Sequence, residues 1–363
     1  MIALAAHPRI LVVALRRLGD VLLTTPLIRS LKRAWANAAI DVLVFRGTEG
    51  ILEGNRDIDD ILALPERATA AESVVLLRKV WRTYDLAIST QSGDRPTLFA
   101  CAAGRQTAGF VDRTGAMNKL KRVALGYPVP VVSRVHRVPE ILRLADALGV
   151  PGIAEVVPPK ARPTHRPDRP YVVIHAAPMF RYKRWTAEGW RGLAAALTSR
   201  GLAIVATTGP SEDERRYLDR VWGGAPDVQR VDPLSWGGLN GLLAGAQLYV
   251  GPDTSVTHLA AATGTPTLAL YGPTDPRLWG PWPAGGLSQP WDAAGTIQNR
   301  GNVWLIQNPP ACPWSILPCQ QEGCERRLDS HSRCLDELTV SQVLSAAEAA
   351  LAATVAPSAE RRY

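Results

Sequence analysis

The stretch RILVVALRRLGDVLLTT (9–25) decides the fold. RILVVAL (9–15) is a short β-type run, and a helical pattern from Pro26 to Trp35 follows it. The chain must turn sharply between them, and Gly19 permits the backbone angles of that turn. Pro26 predicts one loose turn first and a regular helix after Thr25, with proline at its first position. Asp20 therefore stands where the carboxyl end of a strand meets the next helix. Two readings fit it: an N-cap that satisfies free backbone amides, or a general base that takes a proton from an incoming hydroxyl.

The same rhythm continues outward. IDVLVF (40–45) and YDLAIST (84–90) are further strands separated by helix-like runs, which implies a parallel sheet with helices on both faces. VPPKARPTHRPDRP (157–170) breaks the alternation, and its proline and arginine density predicts an extended, solvated connector. Strands YVVIHA (171–176), LAIVATT (202–208), AQLYVG (246–251) and TLALYG (267–272) then alternate with helices at 190–201, 211–222 and 256–264. Ser211 reads as the cap of the second of these helices, and LTVSQVLSAAEAALAA (338–353) as a final helix. The expected organisation is an α/β chain of two doubly wound domains facing a cleft. The N-terminal domain spans 1–160, the linker 161–170, the second domain 171–337, and the closing helix and tail 338–363.

At 363 residues, 46% hydrophobic and 20% charged, the chain is long enough for two domains with real cores. Its longest apolar runs are strand-length, so none reads as a membrane span. No positive charge precedes the apolar part of the N-terminus, which argues against a signal peptide and for a cytoplasmic chain. The net charge of +8 is uneven: residues 1–160 carry 22 Lys+Arg against 15 Asp+Glu, residues 161–363 carry 19 against 18. The basic half suits an anionic partner, whether nucleic acid, a phosphorylated glycolipid or an anionic membrane face, or else uses arginine for solubility.

Two further stretches carry chemistry. In GPDTSVTHLAAATGTPTLALYGPTD (251–275) a strand ends at Gly251, and Asp253, Thr254 and Ser255 turn into a helix. Its N-terminus offers free N–H groups and a positive dipole end to a phosphate or diphosphate, and His258 lies one turn in on the face of Thr254. In IHAAPMFRYKRWTAEGW (174–190) a strand end leads into a loop bearing Arg181, Lys183 and Arg184, before Thr186 as a helix cap. These cations either neutralise a leaving diphosphate or form a solvated basic loop. Asp57 and Asp59 form an Asp-x-Asp that reads as solvated loop rather than metal site. Cys101 in LFACAAG reads as core.

Taken together, ILVV…LGDVLLTTPLIRSLK, the 251–282 segment and spacers such as NRDIDDILALP resemble the bacterial heptosyltransferase family. VVIHAAPMFRYKRW looks most like the heptosyltransferase III branch, which adds a side-branch heptose. The resemblance implies a GT-B fold with two Rossmann-like domains, acceptor in the first and nucleotide sugar in the second. It implies inverting transfer of heptose from ADP-heptose to the lipopolysaccharide inner core, on the cytoplasmic face of the inner membrane. By motif position Asp20 matches the catalytic base, Lys183 the diphosphate-facing lysine, and Asp253, Thr254, Ser255 and His258 the donor-binding group. An acidic residue after the TTGP loop should reach the nucleoside, and Glu212 is preferred over Glu214. Arg16, Arg17 and Arg113 are the expected acceptor contacts, and with Arg29, Lys32, Arg33, Lys119, Lys121 and Arg122 they compose a basic docking surface. Residues 177–178 are Ala-Pro where some relatives carry hydroxyl residues.

No cofactor is required by this chemistry. Cys312, Cys319, Cys324 and Cys334, with His331 three before the last, are spaced more loosely than usual metal ligands. Three readings stay open for them: a structural metal, reduced thiols packing a loop, or a disulfide. A GT-B enzyme with another nucleotide sugar, or with a protein or small-molecule acceptor, also fits the sequence. A Rossmann-type oxidoreductase is disfavoured because no Gly-x-Gly-x-x-Gly follows either first strand. Nucleic acid is disfavoured because the basic residues lack interleaved aromatics.

Overall fold

Residues Ile10–Ala14 are wholly excluded from solvent, as a strand covered on both faces must be. In the computed structural model, which describes residues 1–293, 296–308 and 318–355, they form most of β1 (Arg9–Ala14). The chain divides into two compact units, the first ending at Lys160 and the second beginning at Ala161. In the first unit β1 is joined by β2 (Ala39–Phe45), β3 (Asp60–Leu64), β4 (Tyr84–Ser89), β5 (Gly104–Val111) and β6 (Tyr127–Pro130). All pair in parallel, in the order β3-β2-β1-β4-β5-β6. That is the Rossmann order, with its reversal between β1 and β4.

The second unit repeats the plan. Its strands are β7 (Tyr171–Ile174), β8 (Ala203–Thr207), β9 (Val228–Val231), β10 (Leu248–Pro252), β11 (Thr267–Tyr271), β12 (Ile297–Arg300) and β13 (Val303–Gln307). The order is β12-β13-β11-β10-β7-β8-β9, parallel except for the β12–β13 hairpin at one edge. Here the reversal falls between β7 and β10. The last helix, Val340–Val355, buries Val343, Ala346, Ala347 and Ala350 in this unit's core. Trp185 joins the same core and donates its indole N–H to the Leu338 carbonyl at 2.7 Å.

The Asp-x-Asp is not a solvated loop. Asp57 pairs with Arg29 at 2.8 Å. Asp59 accepts the Ile40 amide at 2.8 Å and pairs with Lys32 at 3.3 Å. Both carboxylates therefore clamp the helix Thr25–Ala34 to the β2–β3 edge. The neighbouring chain straps the same helix: Val157 N–H donates to Thr25 Oγ1 and Ile153 N–H to Ser30 Oγ, each at 2.8 Å. Arg29 also pairs with Glu155.

The connector is extended and solvated as expected: residues 157–167 have no regular secondary structure and most of 160–170 are exposed, but the backbone is anchored at two points. Lys160 N–H donates to the Glu53 carbonyl in the first unit at 2.9 Å, and Arg162 N–H to the Gly237 carbonyl in the second at 2.8 Å. The helix Trp236–Ala244 is glycine-rich because this strap lies against it: a Cβ on Gly241 would stand 2.0 Å from the Arg162 carbonyl oxygen. Without that close approach, alanine in the helix would stabilise by about 1 kcal/mol. Against the observed backbone, Gly241→Ala should instead lower stability by roughly 1–3 kcal/mol, read as a drop in thermal midpoint.

Candidate functional site

Ligands of doubly wound sheets bind beyond the carboxyl ends of the strands where the order reverses. In the first unit that place lies above β1 and β4. Thr90 Oγ1 donates to the Val13 carbonyl at 2.9 Å and Gln91 Nε2 to the Leu15 carbonyl at 2.7 Å, stapling the two strand ends together. Arg16 and Arg17, both exposed, follow β1 and lead into the short helix Leu18–Leu22. Thr25 and Pro26 then begin the regular helix.

Asp20 is not the cap of its helix. Arg17 holds the N-cap position, with no side-chain cap bond, and Asp20 lies in the first turn. Its Oδ1 is buried with no hydrogen-bond partner. Arg137, which the sequence reading passed over, feels the Asp20 carboxylate electrostatically. Its guanidinium is 4% exposed, donates to the Thr90 carbonyl at 2.9 Å and to Glu140 at 3.1 Å, and leaves Nε unpartnered. Burial pushes the Arg137 pKa down, and Asp20 and Glu140 oppose that shift while Arg16 adds to it. The signal was present in HRVPEILRL (136–144): Arg137 occupies the apolar face that continues through Ile141 and Leu144. Arg113 is exposed on the loop after β5, where its carbonyl accepts from Arg122.

In the second unit the reversal brings Lys183 and Asp253 together, Nζ to Oδ2 at 2.5 Å. Lys183 ends the turn Arg181–Lys183, which Ser332 Oγ anchors by donating to the Tyr182 carbonyl at 2.7 Å. Asp253 follows β10 and is 8% exposed. Burial would push its carboxyl up, but Lys183, His258 and a hydrogen bond from Thr274 together hold it below the usual value. Thr254 caps the nine-residue helix Ser255–Thr263, its hydroxyl accepting the Thr257 N–H at 3.4 Å. Ser255 is half-buried in the first turn and His258 is buried one turn in. Beneath them Tyr249 and Thr257 share a hydroxyl–hydroxyl bond of 2.9 Å. The helix ends at Gly264, whose φ of +85° suits glycine.

Two residues at the neighbouring strand ends differ from the sequence reading. Glu212 is exposed. Glu214 is the acid that returns to the TTGP loop, accepting the Gly209 N–H at 2.7 Å, and burial pushes its carboxyl up against the opposing pull of that bond, Arg184 and Arg215. Ser211 holds the N-cap position without a side-chain bond. His175, one residue past β7, was also missed. Its Nδ1 meets Thr207 Oγ1 at 3.0 Å, and burial pushes its pKa down to about 4. A lone histidine at the end of an apolar strand beside the reversal was the available signal. Arg184 stacks over Tyr217 at 4.1 Å, so it is not part of a solvated basic loop.

The remaining expected positions are corrected as follows. Lys121 is buried against Ser92 and Asp94, and Arg29 and Lys32 are taken by Asp57 and Asp59, so these three leave the basic surface. Cys101 is only partly buried. Cys312 lies outside the described residues. Arg333 N–H donates to Cys324 Sγ at 3.4 Å, and Cys334 is buried. Among the described residues no disulfide and no metal-holding group of three or more His, Cys, Asp or Glu is present.

The two buried groups both hold their folded pKa below the unfolded one, so each loses its contribution as the pH falls, in different ranges. Asp253 has its folded pKa held below the unfolded one, so its contribution is complete above about pH 4 and fades as the pH falls further. His175 stays neutral when folded until about pH 4, whereas the unfolded imidazole takes its proton near 6.5. Stability should therefore fall as the pH drops from about 6.5 to about 4, by up to roughly 3 kcal/mol from this residue. Nitrogen-15 histidine spectra should find His175 still neutral at about pH 5, and His175→Asn should flatten the loss over that range in denaturant titrations.

Residues 75–285 match the profile of glycosyltransferase family 9 (heptosyltransferase). A lipopolysaccharide heptosyltransferase 3 of Escherichia coli is 28% identical, over 73% of this chain and 83% of the relative. That of strain K12 is 27% identical, over 94% of this chain and 98% of the relative. The solved structure of E. coli heptosyltransferase WaaC with ADP superposes with a TM-score of 0.71 at 22% identity, covering 94% of this chain and 99% of that one, and carries the same GT-B pair of Rossmann sheets. A profile match across more than half of the chain, on two sheets of this order, makes the protein a glycosyltransferase belonging to family 9, the heptosyltransferases.

Proposed function

We propose that the protein transfers heptose from ADP-heptose to a sugar hydroxyl of the lipopolysaccharide inner core, with inversion at the anomeric carbon. The observation that carries this reading is the Lys183–Asp253 pair beside the N-terminus of Ser255–Thr263. A lysine held by a buried carboxylate, next to free helix N–H groups, is suited to a diphosphate. The relatives support the sugar and acceptor: the two similar curated proteins are lipopolysaccharide heptosyltransferases, and the WaaC structure holds ADP.

In this reading Asp20 takes the proton of the acceptor hydroxyl. The acceptor oxygen bonds to the anomeric carbon as the bond from that carbon to the diphosphate oxygen breaks, through an oxocarbenium-like state. Lys183 and the helix N-terminus take up the negative charge of the departing ADP, so the step assigns no work to a metal. Asp253 keeps the lysine charged and in place, and Thr254, Ser255 and His258 lie around the same anion position. Glu214 closes the TTGP loop beside the nucleoside. Arg137 lies within electrostatic reach of Asp20, and Arg16, Arg17 and Arg113 offer cations to the phosphates and carboxylates of the core acceptor. Such an acceptor is lipid-borne, so the enzyme works at the cytoplasmic face of the inner membrane as a peripheral protein. No helix among the described residues is long and apolar enough to cross a bilayer.

Asp20→Asn should lower kcat by roughly 10²- to 10⁴-fold, the usual range for a general base, while calorimetric titration shows ADP binding unchanged. Lys183→Met should weaken ADP instead. Full turnover by Asp20→Asn would remove the base assignment. A preference for UDP or GDP over ADP would remove the heptose donor and leave the family intact.

A further inference from the structure

The helix Ala116–Ala124 is turned inside out. A surface helix normally buries its apolar stripe and leaves its lysines in water. Here the buried residue is Lys121, whose ammonium donates to the Ser92 carbonyl and pairs with Asp94, each at 2.5 Å. Met117, Leu120 and Val123, spaced by three and so on one side, are 52%, 61% and 85% exposed. The helix Asp94–Ala103 lies alongside, joined at Asp94–Lys121 and at Cys101–Ala124, and between those joints it adds Leu98, 55% exposed. Burying a charged lysine so that aliphatic side chains face water is unfavourable for the isolated fold. The arrangement makes sense only if something covers the apolar side.

The surrounding charge identifies what covers it. Arg113, Lys119 and Arg122 are exposed around the apolar stripe, against exposed Asp112 and the Lys121-paired Asp94, and no acidic residue occurs from 113 to 124. Exposed apolar residues flanked by cations match the boundary between acyl chains and anionic headgroups. The helix also starts from the carboxyl end of β5, on the same edge of the sheet as Asp20 and Arg137. A lipid seated against it would therefore present its head to the edge that holds the base.

We infer that Met117, Leu120 and Val123, with Leu98 beside them, form the surface by which this protein docks on an anionic phospholipid bilayer. The inference deepens the transfer reading and rests on it only for the lipid-borne acceptor. The test uses the full chain in co-sedimentation with vesicles of phosphatidylethanolamine and phosphatidylglycerol at 3:1, and with phosphatidylcholine alone. Wild type should partition to the anionic vesicles, less so at high salt and little to phosphatidylcholine. Leu120→Glu/Val123→Glu, both at exposed positions, should reduce that partition by about tenfold or more, and Lys119→Glu by less. Transfer to an acyl-free core oligosaccharide should be unchanged in the double variant, which shows that it is folded. Equal partition of wild type and double variant would overturn the inference, as would a wild type that binds no vesicle. So would a dimer by sedimentation velocity that the double variant dissolves, since the patch would then be covered by a second copy. Failure of both proteins to use the acyl-free acceptor would count against the transfer reading alone.

Discussion

Asp253 is a carboxylate with almost no access to water, and it remains ionised because Lys183 reaches it from a different strand end. An ion in that position without a partner would be strongly unfavourable, so the contact constrains everything around it. The turn Arg181–Lys183 must be held in place, which Ser332 does from the segment before the last helix. Trp185, two residues on, is locked into the core by the Leu338 carbonyl. The chain between 318 and 340 therefore acts as a brace for a lysine that lies far away in sequence.

The first unit solves a related problem with less closure. Arg137 is as deeply buried as Asp253, and its guanidinium donates to Thr90 and Glu140. Its Nε and Asp20 Oδ1 are both buried without a hydrogen-bond partner. In the second unit the acid and base are in direct contact, which suits fixed charge compensation.

How much of this was legible in the sequence follows from burial. β1, β2, β4, β7, β8, β10 and β11 are covered on both faces and read as continuous apolar runs. The strands that went unread flank them. β3 and β9 are half-exposed, β6 is four residues with two prolines, and β5 mixes glycines and polar residues, a Cβ on Gly109 coming within 3.1 Å of Ser89 Cβ. In the site, Lys183, Asp253, Thr254 and His258 stood on recognisable turns. Arg137, His175 and Glu214 did not, since each depends on which strand end lies beside which, and strand order is not local information. Asp57 and Asp59 misled for the converse reason: a motif fixes spacing but not the arginine and lysine waiting one helix away.

Net charge is likewise not available charge. Of the nine cations that compose the expected basic surface, Arg29, Lys32 and Lys121 are neutralised inside the first unit. Arg16, Arg17, Arg33, Arg113, Lys119 and Arg122 remain exposed. Arg33 closes the helix that returns from the sheet edge, but Arg16 and Arg17 follow the carboxyl end of β1, and Arg113 follows that of β5. Arg16, Arg17 and Arg113 thus leave exposed positive charge where β1 and β5 end. A field of that shape draws an anionic ligand to one edge rather than to the whole face, and that edge is the one on which Asp20 lies.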